Sequence, residues 1–212
     1  MKIGVIVPAY NEARHIGDVL RVLKNIPFLD KILVVDDGSD DETAKTAGEL
    51  GFEVLKQPYN QGKGAALQAG LKQVNADIYL FIDADLVGLN QNHLNDMVKP
   101  LLEDKSLAMT VGKFKGGRKS TDWAQHLVPQ ISGQRAITAK LAKSLPDLSS
   151  SGFGVEVLIT KHAKKNGYKS KEVILENITQ VMKEEKLGLL KGFSYRLRMY
   201  YHLLRSFLKR EV

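Results

Sequence analysis

Residues 32–41 read ILVVDDGSDD, an apolar run that ends in aspartates around a glycine and a serine. Four consecutive β-branched or leucine residues are typical of a strand buried on both faces. Helical spacing follows from about residue 41 and stops near Gly51, a residue suited to a helix C-terminus. This stretch therefore predicts a buried strand, an acidic loop and a helix, in that order.

The same pattern recurs through the first half of the chain. Residues 3–7 (IGVIV) and 78–82 (IYLFI) are further apolar runs, and polar side chains follow each of them. Helix-like segments lie between the runs, including AALQAGLKQV at residues 65–74. Repeated strand–helix units specify a mostly parallel sheet with helices on both faces. We therefore predict an α/β fold, with a ligand bound outside the carboxyl ends of the strands.

The composition is that of a globular protein, with 212 residues of which 43% are hydrophobic and none is cysteine. The lack of cysteine excludes disulfides, thiolate metal sites and a cysteine nucleophile. The first residues lack the pattern of a secretory signal. The longest apolar runs are far shorter than the roughly 20 residues that span a bilayer. We therefore expect a cytoplasmic protein, with attachment to the inner face of the membrane as an option.

Charge is distributed unevenly along the sequence. Residues 1–112 contain 11 basic and 16 acidic residues, whereas residues 113–212 contain 20 and 8. A carboxylate-rich half suits a metal ion and a basic half suits an anionic partner, although an unevenly charged solvated surface is the alternative. Because no nucleic-acid recognition motif accompanies the basic residues, we expect no nucleic-acid partner.

The C-terminal segment, residues 187–212, has apolar residues at three- and four-residue steps with basic residues mostly beside them. This pattern predicts an amphipathic helix. Such a helix packs against its own domain or a second copy of the chain, or it lies on an anionic membrane surface. Both alternatives remain open from the sequence.

Asp83 and Asp85 follow the apolar run at residues 78–82. Two carboxylates in this position can approach one Mg²⁺ or Mn²⁺ ion, which shares its other positions with phosphate oxygens. The metal would then stabilise a diphosphate leaving group. The alternative is that both residues cap a turn or the next helix.

Other strand ends carry residues suited to a nucleotide. A carboxylate at Asp36 or Asp37 can accept a hydrogen bond from a base or a ribose hydroxyl. Tyr10 can stack on a base, and Lys63, within a glycine-containing turn, can reach phosphate. Each pattern taken alone is equally compatible with a turn or a helix cap.

As an ordered set, these motifs resemble family 2 glycosyltransferases, which adopt the GT-A fold. The resemblance implies that Asp83 and Asp85 serve a metal-bound diphosphate and that Lys63 lies near the base or the phosphates. It implies a nucleotide-binding half at residues 1–112 and an acceptor half at 113–186, within one domain. The motifs that carry it are VPAYNE at 7–12, VVDDGSDD at 34–41, NQGKGAALQAG at 60–70 and DAD at 83–85. The residues implied in nucleotide binding are Pro8, Tyr10, Glu12, Asp36, Asp37, Lys63 and Asp83.

The second half resembles two branches of this family, one that glycosylates polyprenyl phosphates and one that makes glucosyl-3-phosphoglycerate. The stretch GGR at 116–118 resembles an acceptor loop of the second branch, as do ISGQR at 131–135 and GFGVE at 152–156. Phosphoglycerate-using relatives carry a histidine-containing metal-binding stretch where residues 178–183 here read ITQVMK. We therefore expect polyprenyl phosphate to be the preferred acceptor, and transfer to a small phosphorylated acid is the alternative.

We accordingly predict metal-dependent sugar transfer from a nucleotide-diphosphate sugar to a phosphate-bearing acceptor. Asp85, assisted by Asp83, would hold the metal, and Lys113 and Arg118 would attract the acceptor anion. Glu156 would orient a sugar hydroxyl or help to position the nucleophile; the alternative is that it is an acidic residue favoured at a helix N-terminus. A phosphate acceptor is already ionised, so that no dedicated base is needed. The rival hypothesis is a nucleotide-sugar-binding protein without transfer activity.

Overall fold

The structure is a computed structural model that describes residues 1–116 and 133–181. Strands and helices alternate through most of these ranges, as the sequence pattern predicts. The strands are β1 (Ile3–Ala9), β2 (Lys31–Asp36), β3 (Glu53–Lys56), β4 (Ile78–Phe81), β5 (Leu86–Val87), β6 (Leu107–Lys115), β7 (Arg135–Thr138), β8 (Lys169–Glu176) and β9 (Thr179–Gln180). The helices are α1 (Ile16–Lys24), α2 (Thr43–Glu49), α3 (Lys63–Gln73), α4 (Gln91–Glu103), α5 (Ala139–Ser144) and α6 (Val155–Lys165), and a 3-10 segment (Ser149–Gly154) precedes α6.

Seven strands form one sheet in the order β3-β2-β1-β4-β7-β6-β8. Strands β1 to β4 are mutually parallel, β6 is parallel to β8, and β7 runs antiparallel between β4 and β6. The predicted, mainly parallel α/β fold is therefore confirmed. Short strands β5 and β9 pair separately and join the chain after β4 to the chain after β8.

Helices cover both faces of the sheet, so that the central strands are buried on both sides. All seven residues of β1 are buried. One face packs with Leu20 of α1 and Leu94 of α4, and the other packs with Leu67 of α3 and Ile159 of α6. This burial explains the unbroken apolar runs, because neither face of these strands meets water.

The predictions for the C-terminal part of the chain fall on residues beyond the described ranges. The amphipathic helix at 187–212 and the domain boundary at residue 186 lie outside them. Within residues 1–116 and 133–181, no helix has the length and apolar content needed to cross a bilayer.

Candidate functional site

The carboxyl ends of the parallel strands bring the predicted residues to one edge of the sheet. The register pairs Ala9 with Asp36 and Ile6 with Phe81, so that the loops after β1, β2 and β4 leave from the same edge. Because β7 is antiparallel, its first residue, Arg135, pairs with Phe81 at that edge. The sequence predicted a site formed by the parallel strands alone, and the structure shows that the start of β7 also lies at this edge.

Asp83 is held by three side chains from distant parts of the chain. Its Oδ1 lies 2.6 Å from Nζ of Lys63. Its Oδ2 accepts hydrogen bonds from Nε2 of Gln180 at 2.6 Å and Nε2 of Gln134 at 3.1 Å. Burial alone raises the pKa of Asp83, but Lys63 and the two amides more than offset it and hold the pKa below its usual value. Asp83 is therefore an ionised, positioned carboxylate.

Lys63 joins Asp83 to Glu156. Its Nζ lies 2.6 Å from Oδ1 of Asp83 and 2.6 Å from Oε1 of Glu156, and the three side chains are between 9% and 19% exposed. Burial lowers the pKa of Lys63, but the two carboxylates more than reverse this and raise the pKa above its usual value. We call these three residues the Lys63 triad. A partly exposed cation between two carboxylates can exchange partners when a charged ligand enters.

Glu156 lies in the first turn of α6, where the helix dipole favours a carboxylate. The structure gives it a more specific environment as well, because its side chain is 9% exposed and pairs with Lys63. The 3-10 segment before α6 contains Gly152 at φ 54°, a conformation that favours glycine.

Asp37 contacts the backbone of the loop that leads into Lys63. Its carboxylate accepts hydrogen bonds from the amides of Gln61, at 2.9 Å, and Gly62, at 2.7 Å. Burial raises the pKa of Asp37 above its usual value, with neighbouring Asp36 contributing, although the two amide bonds oppose the rise. Asp37 therefore fixes the loop at residues 60–64, and its role in nucleotide binding stays a prediction.

Asp36 is completely buried at the end of β2. Its Oδ1 accepts a hydrogen bond from the amide of Ser39 at 3.1 Å and a short one from the Ser39 hydroxyl. Its Oδ2 has no hydrogen-bond partner among the described residues. Asp36 thus holds the acidic loop after β2 through Ser39. A direct contact between Asp36 and a nucleotide remains a prediction.

The loop after β1 carries the remaining residues that we predicted for the nucleotide. Pro8 is buried within β1, whereas Tyr10 is partly exposed at the edge. Glu12 is buried, with its amide donating to Oγ1 of Thr43 at 2.8 Å and its Oε2 lying 3.2 Å from Nδ1 of His15. Of these three predicted residues, Tyr10 has the exposure that stacking on a base requires.

The two basic residues predicted for the acceptor differ in what the structure describes. Lys113 lies near the carboxyl end of β6, and its Nζ forms an ion pair with Oε2 of Glu172 on β8 at 2.6 Å. An acceptor anion would have to share Lys113 with that carboxylate. Arg118 lies outside the described residues.

The donor groups at this edge suit a metal ion that takes some of its ligands from phosphate. Asp83 and Asp85 supply hard oxygen ligands, which Mg²⁺ and Mn²⁺ prefer. Asp85 is half-buried, and its backbone carbonyl accepts a hydrogen bond from the amide of Val181 at 3.2 Å. Among residues 1–116 and 133–181, no group of three or more His, Asp, Glu or Cys is arranged to bind a metal. The residues therefore fit a partial ligand set that a diphosphate would complete.

Sequence reasoning missed three polar residues of this site. Gln134 and Gln180 bind Asp83, and Arg135, which follows Gln134 in the sequence, is 1% exposed. Burial lowers the pKa of Arg135 to about 10, although the attraction of Glu156 and Asp83 opposes this. The signal that pointed to two of them was the stretch ISGQR, which we quoted only for its resemblance to a family motif.

An open cleft of about 520 Å³ runs along α3, away from these residues. It lies between Gln61 and Lys72 on one side and Asp147 on the other, and its lining does not include the Lys63 triad. The site is therefore defined by its charged side chains rather than by this cleft.

Comparison with known proteins gives a consistent picture. A family model described as "Glycosyl transferase family 2" matches residues 4–162. The chain is 27% identical over 188 residues to the glucosyl-3-phosphoglycerate synthase of Mycolicibacterium smegmatis, which covers 73% of this chain and 61% of that protein. It is 39% identical over 94 residues to a dolichyl-phosphate beta-glucosyltransferase of Trichomonas vaginalis, which covers 38% and 28%. The chain thus spans less than two thirds of either relative.

Similarity of the fold extends over nearly the whole chain. The crystal structure of glucosyl-3-phosphoglycerate synthase from Mycobacterium tuberculosis, in complex with Mn²⁺, UDP and glucosyl-3-phosphoglycerate, superimposes with a TM-score of 0.78 at 25% identity. The match covers 98% of this chain and 78% of that chain. Other crystal structures of the same synthase contain Mn²⁺, UDP-glucose and phosphoglyceric acid, or Mg²⁺ and UDP.

Proposed function

The chain belongs to glycosyltransferase family 2, and from that premise we propose that it transfers a sugar from a nucleotide-diphosphate sugar to a phosphate-bearing acceptor. The observation that carries this proposal is the Lys63 triad beside Asp85 at the carboxyl edge of the sheet. It combines two carboxylates, a cation and partial exposure at the edge where an α/β sheet binds its ligands.

Donor binding follows from the residues at this edge. Asp85, assisted by Asp83, would hold Mg²⁺ or Mn²⁺, and the ion would neutralise charge on the departing diphosphate. Tyr10 would contact the base, and Asp37 would orient the loop at residues 60–64. Once the metal ion neutralises the charge of Asp83, the ammonium group of Lys63 would interact with the phosphates as well. Glu156 would hydrogen-bond the sugar.

The acceptor would enter from the basic second half, with Lys113 and Arg118 attracting its phosphate. We propose polyprenyl phosphate as the preferred acceptor, which the local identity to the dolichyl-phosphate enzyme supports. A small phosphorylated acid is the second candidate, supported by the similarity to the phosphoglycerate-using synthase over nearly the whole chain. A polyprenyl phosphate is already ionised, so its phosphate oxygen needs no general base, whereas transfer to the hydroxyl of a phosphorylated acid would require a group that takes up the hydroxyl proton.

A turnover assay tests the proposed reaction. The full chain is incubated with UDP- and GDP-sugars, Mn²⁺ and either polyprenyl phosphate or 3-phosphoglycerate, and mass spectrometry should reveal one glycosylated product.

Calorimetric titration with UDP tests the proposed metal site. Asp83→Ala and Asp85→Ala should each abolish the dependence of UDP binding on Mn²⁺, whereas Asp96→Ala, at an exposed position of α4, should leave it unchanged. Unchanged binding in both site variants would remove the proposed metal site. Binding of a nucleotide sugar without turnover would favour the rival binding protein.

We also propose that the protein is cytoplasmic and that residues 187–212 attach it to an anionic membrane. The basic and apolar pattern of that segment supports the proposal, and packing against its own domain or against a second copy of the chain is the alternative. In the full chain, replacing Arg198, Arg205 and Lys209 by glutamine should reduce sedimentation with phosphatidylserine vesicles. Replacing the exposed residues Lys72, Lys143 and Lys164 should not. Equal sedimentation of both variants would argue against attachment through this segment.

A further inference from the structure

Arg135 is a cation enclosed in the protein at the start of β7. It is 1% exposed, and its backbone pairs with Phe81 of β4 on one side and Val111 of β6 on the other. Arginine is almost never fully buried unless its donors are paired, because removing a guanidinium from water is costly. A shorter apolar residue would satisfy this sheet position without that cost, so that the guanidinium requires a reason of its own.

A chain of contacts links this guanidinium to the Lys63 triad. Nη1 of Arg135 donates a hydrogen bond to Oγ1 of Thr160 at 2.7 Å. The Thr160 hydroxyl in turn donates to the backbone carbonyl of Glu156, one helical turn earlier, at 2.9 Å. The carboxylate of Glu156 then meets Nζ of Lys63 at 2.6 Å. The sheet is thereby connected through one side chain to the turn of α6 that carries Glu156.

The beginning of α6 needs such a connection. Gly154, the residue that precedes the helix, has no side chain to cap it, and the 3-10 segment before it contains the irregular conformation of Gly152. Val155 and Ile159 are completely buried and hold the helix to the sheet. Apolar contacts are non-directional, however, and do not set the rotation of the first turn as a directed hydrogen bond does.

We propose that Arg135 is a positioning residue, which acts through Thr160 to set the first turn of α6 so that Glu156 meets the sugar of the donor. The inference rests on the proposed function, in which Glu156 contacts that sugar. Arg135 itself touches no substrate. Its contribution is to hold Glu156 still between Lys63 and the sugar while the diphosphate departs.

Thr160→Val tests this with little change of shape, because it removes the hydroxyl that links Arg135 to α6. Thr160→Ser, which keeps a hydroxyl, is the matched control. With UDP-glucose as donor, the valine variant should lose about tenfold to a hundredfold in kcat, the cost of a small displacement in a positioned site. Its affinity for UDP in the presence of Mn²⁺ should stay within about twofold, and the serine variant should recover most of the kcat.

Three results would overturn the inference. The valine variant could retain the kcat of the unmodified protein, the serine variant could lose as much activity as the valine variant, or affinity for UDP could fall in parallel with kcat. The last result would mean that Thr160 supports the whole fold, which thermal unfolding of both variants checks. Arg135→Lys gives a second test, because the single ammonium group of lysine should preserve the contact with Thr160 only in part.

A failure of the proposed function has a different signature. If the unmodified protein transfers no sugar from any nucleotide donor, that function falls, and the anchoring of α6 is then measured by amide hydrogen exchange. The amides of Ile159 and Thr160 should exchange faster in Thr160→Val, whereas those of α3 should not change. Equal exchange in α6 would refute the positioning role by itself.

Discussion

Two carboxylate clusters lie at the same edge of the sheet, and they differ in whether their partners are neutral or charged. Asp36 and Asp37 are bound by backbone amides and a serine hydroxyl, all of them neutral. Asp83 and Glu156 share a full positive charge on Lys63. In the first cluster the carboxylates shape loops, and in the second they maintain an ion pair that a charged ligand can disturb.

The pKa directions follow this difference. Neutral donors do not compensate the burial of Asp37, and its pKa rises. A lysine and two amides overcompensate the burial of Asp83, and its pKa falls. The comparison teaches that two aspartates at the ends of β2 and β4, which look equivalent in the sequence, differ in their described partners: Asp83 pairs with a lysine, whereas Asp37 is bound by neutral amides.

Lys63→Met should have the largest effect. It leaves Asp83 and Glu156 facing each other without the shared cation, and breaking a buried ion pair on one side costs about 3 kcal/mol of unfolding free energy. The kcat should fall by about a hundredfold or more, since the triad also loses the charge that meets the phosphates. Urea unfolding and turnover measure the two effects.

Lys72→Met is the matched control, because Lys72 is an exposed residue of the same helix. It should change the unfolding free energy by less than about 0.5 kcal/mol. If Lys63→Met were as stable and as active as this control, the Lys63 triad would be an ordinary surface ion pair and the contrast between the clusters would vanish.

The pH dependence of stability should separate the clusters with opposite signs. The pKa of Asp83 is below its usual value of 3.8, so its contribution is present above pH 3.8 and is lost as the pH falls through the lower, folded value. The pKa of Asp37 is raised above 3.8, so its contribution is present below pH 3.8 and is lost as the pH rises through the folded value.

Asp83→Asn should therefore flatten the stability curve below pH 3.8, and Asp37→Asn should flatten it above pH 3.8. Urea unfolding in metal-free buffers across the acidic range measures both curves. If the pH dependence of the unfolding free energy changed with the same sign in both variants, the assignment of a cation to the cluster of Asp83 and not to that of Asp37 would be contradicted.

Much of this site was predictable because strand ends obey a simple rule. Apolar runs followed by acids placed Asp36, Asp37 and Asp83 at one edge, and the structure places them there. The predictions of the GT-A fold and of family 2 glycosyltransferase identity are likewise confirmed. These features depend on local sequence patterns, which survive in a single sequence.

The two glutamine partners of Asp83 were not predictable in this way. Gln134 and Gln180 lie 51 and 97 residues from it and reach it through β7 and β9. An uncharged amide has no periodic signal, and antiparallel pairing to a strand so distant depends on the whole fold. The need for glycine at position 133 was equally unpredictable, although a Cβ there would clash with Oδ2 of Asp83 and with Nζ of Lys63.

Gln180→Glu should have the smallest effect and gives the sharpest view of the metal site. The amide donates to Oδ2 of Asp83 at 2.6 Å, so a carboxylate in its place would face another carboxylate. We expect a loss of about 1–2 kcal/mol of unfolding free energy without metal, because a like charge replaces a donor. A divalent cation bound between the carboxylates would relieve the repulsion, and Mn²⁺ should raise the melting temperature of this variant more than that of the unmodified protein.

Gln68→Glu is the control, since Gln68 of α3 accepts a hydrogen bond from the amide of Leu148 and is not among the described partners of Asp83. Its response to Mn²⁺ should match that of the unmodified protein. If Mn²⁺ raised the melting temperature of Gln180→Glu no more than that of the unmodified protein, the metal would lie away from Asp83. Asp83 would then belong with Asp36 and Asp37 among carboxylates that organise the edge of the sheet, and Asp85 alone would link the protein to the cation.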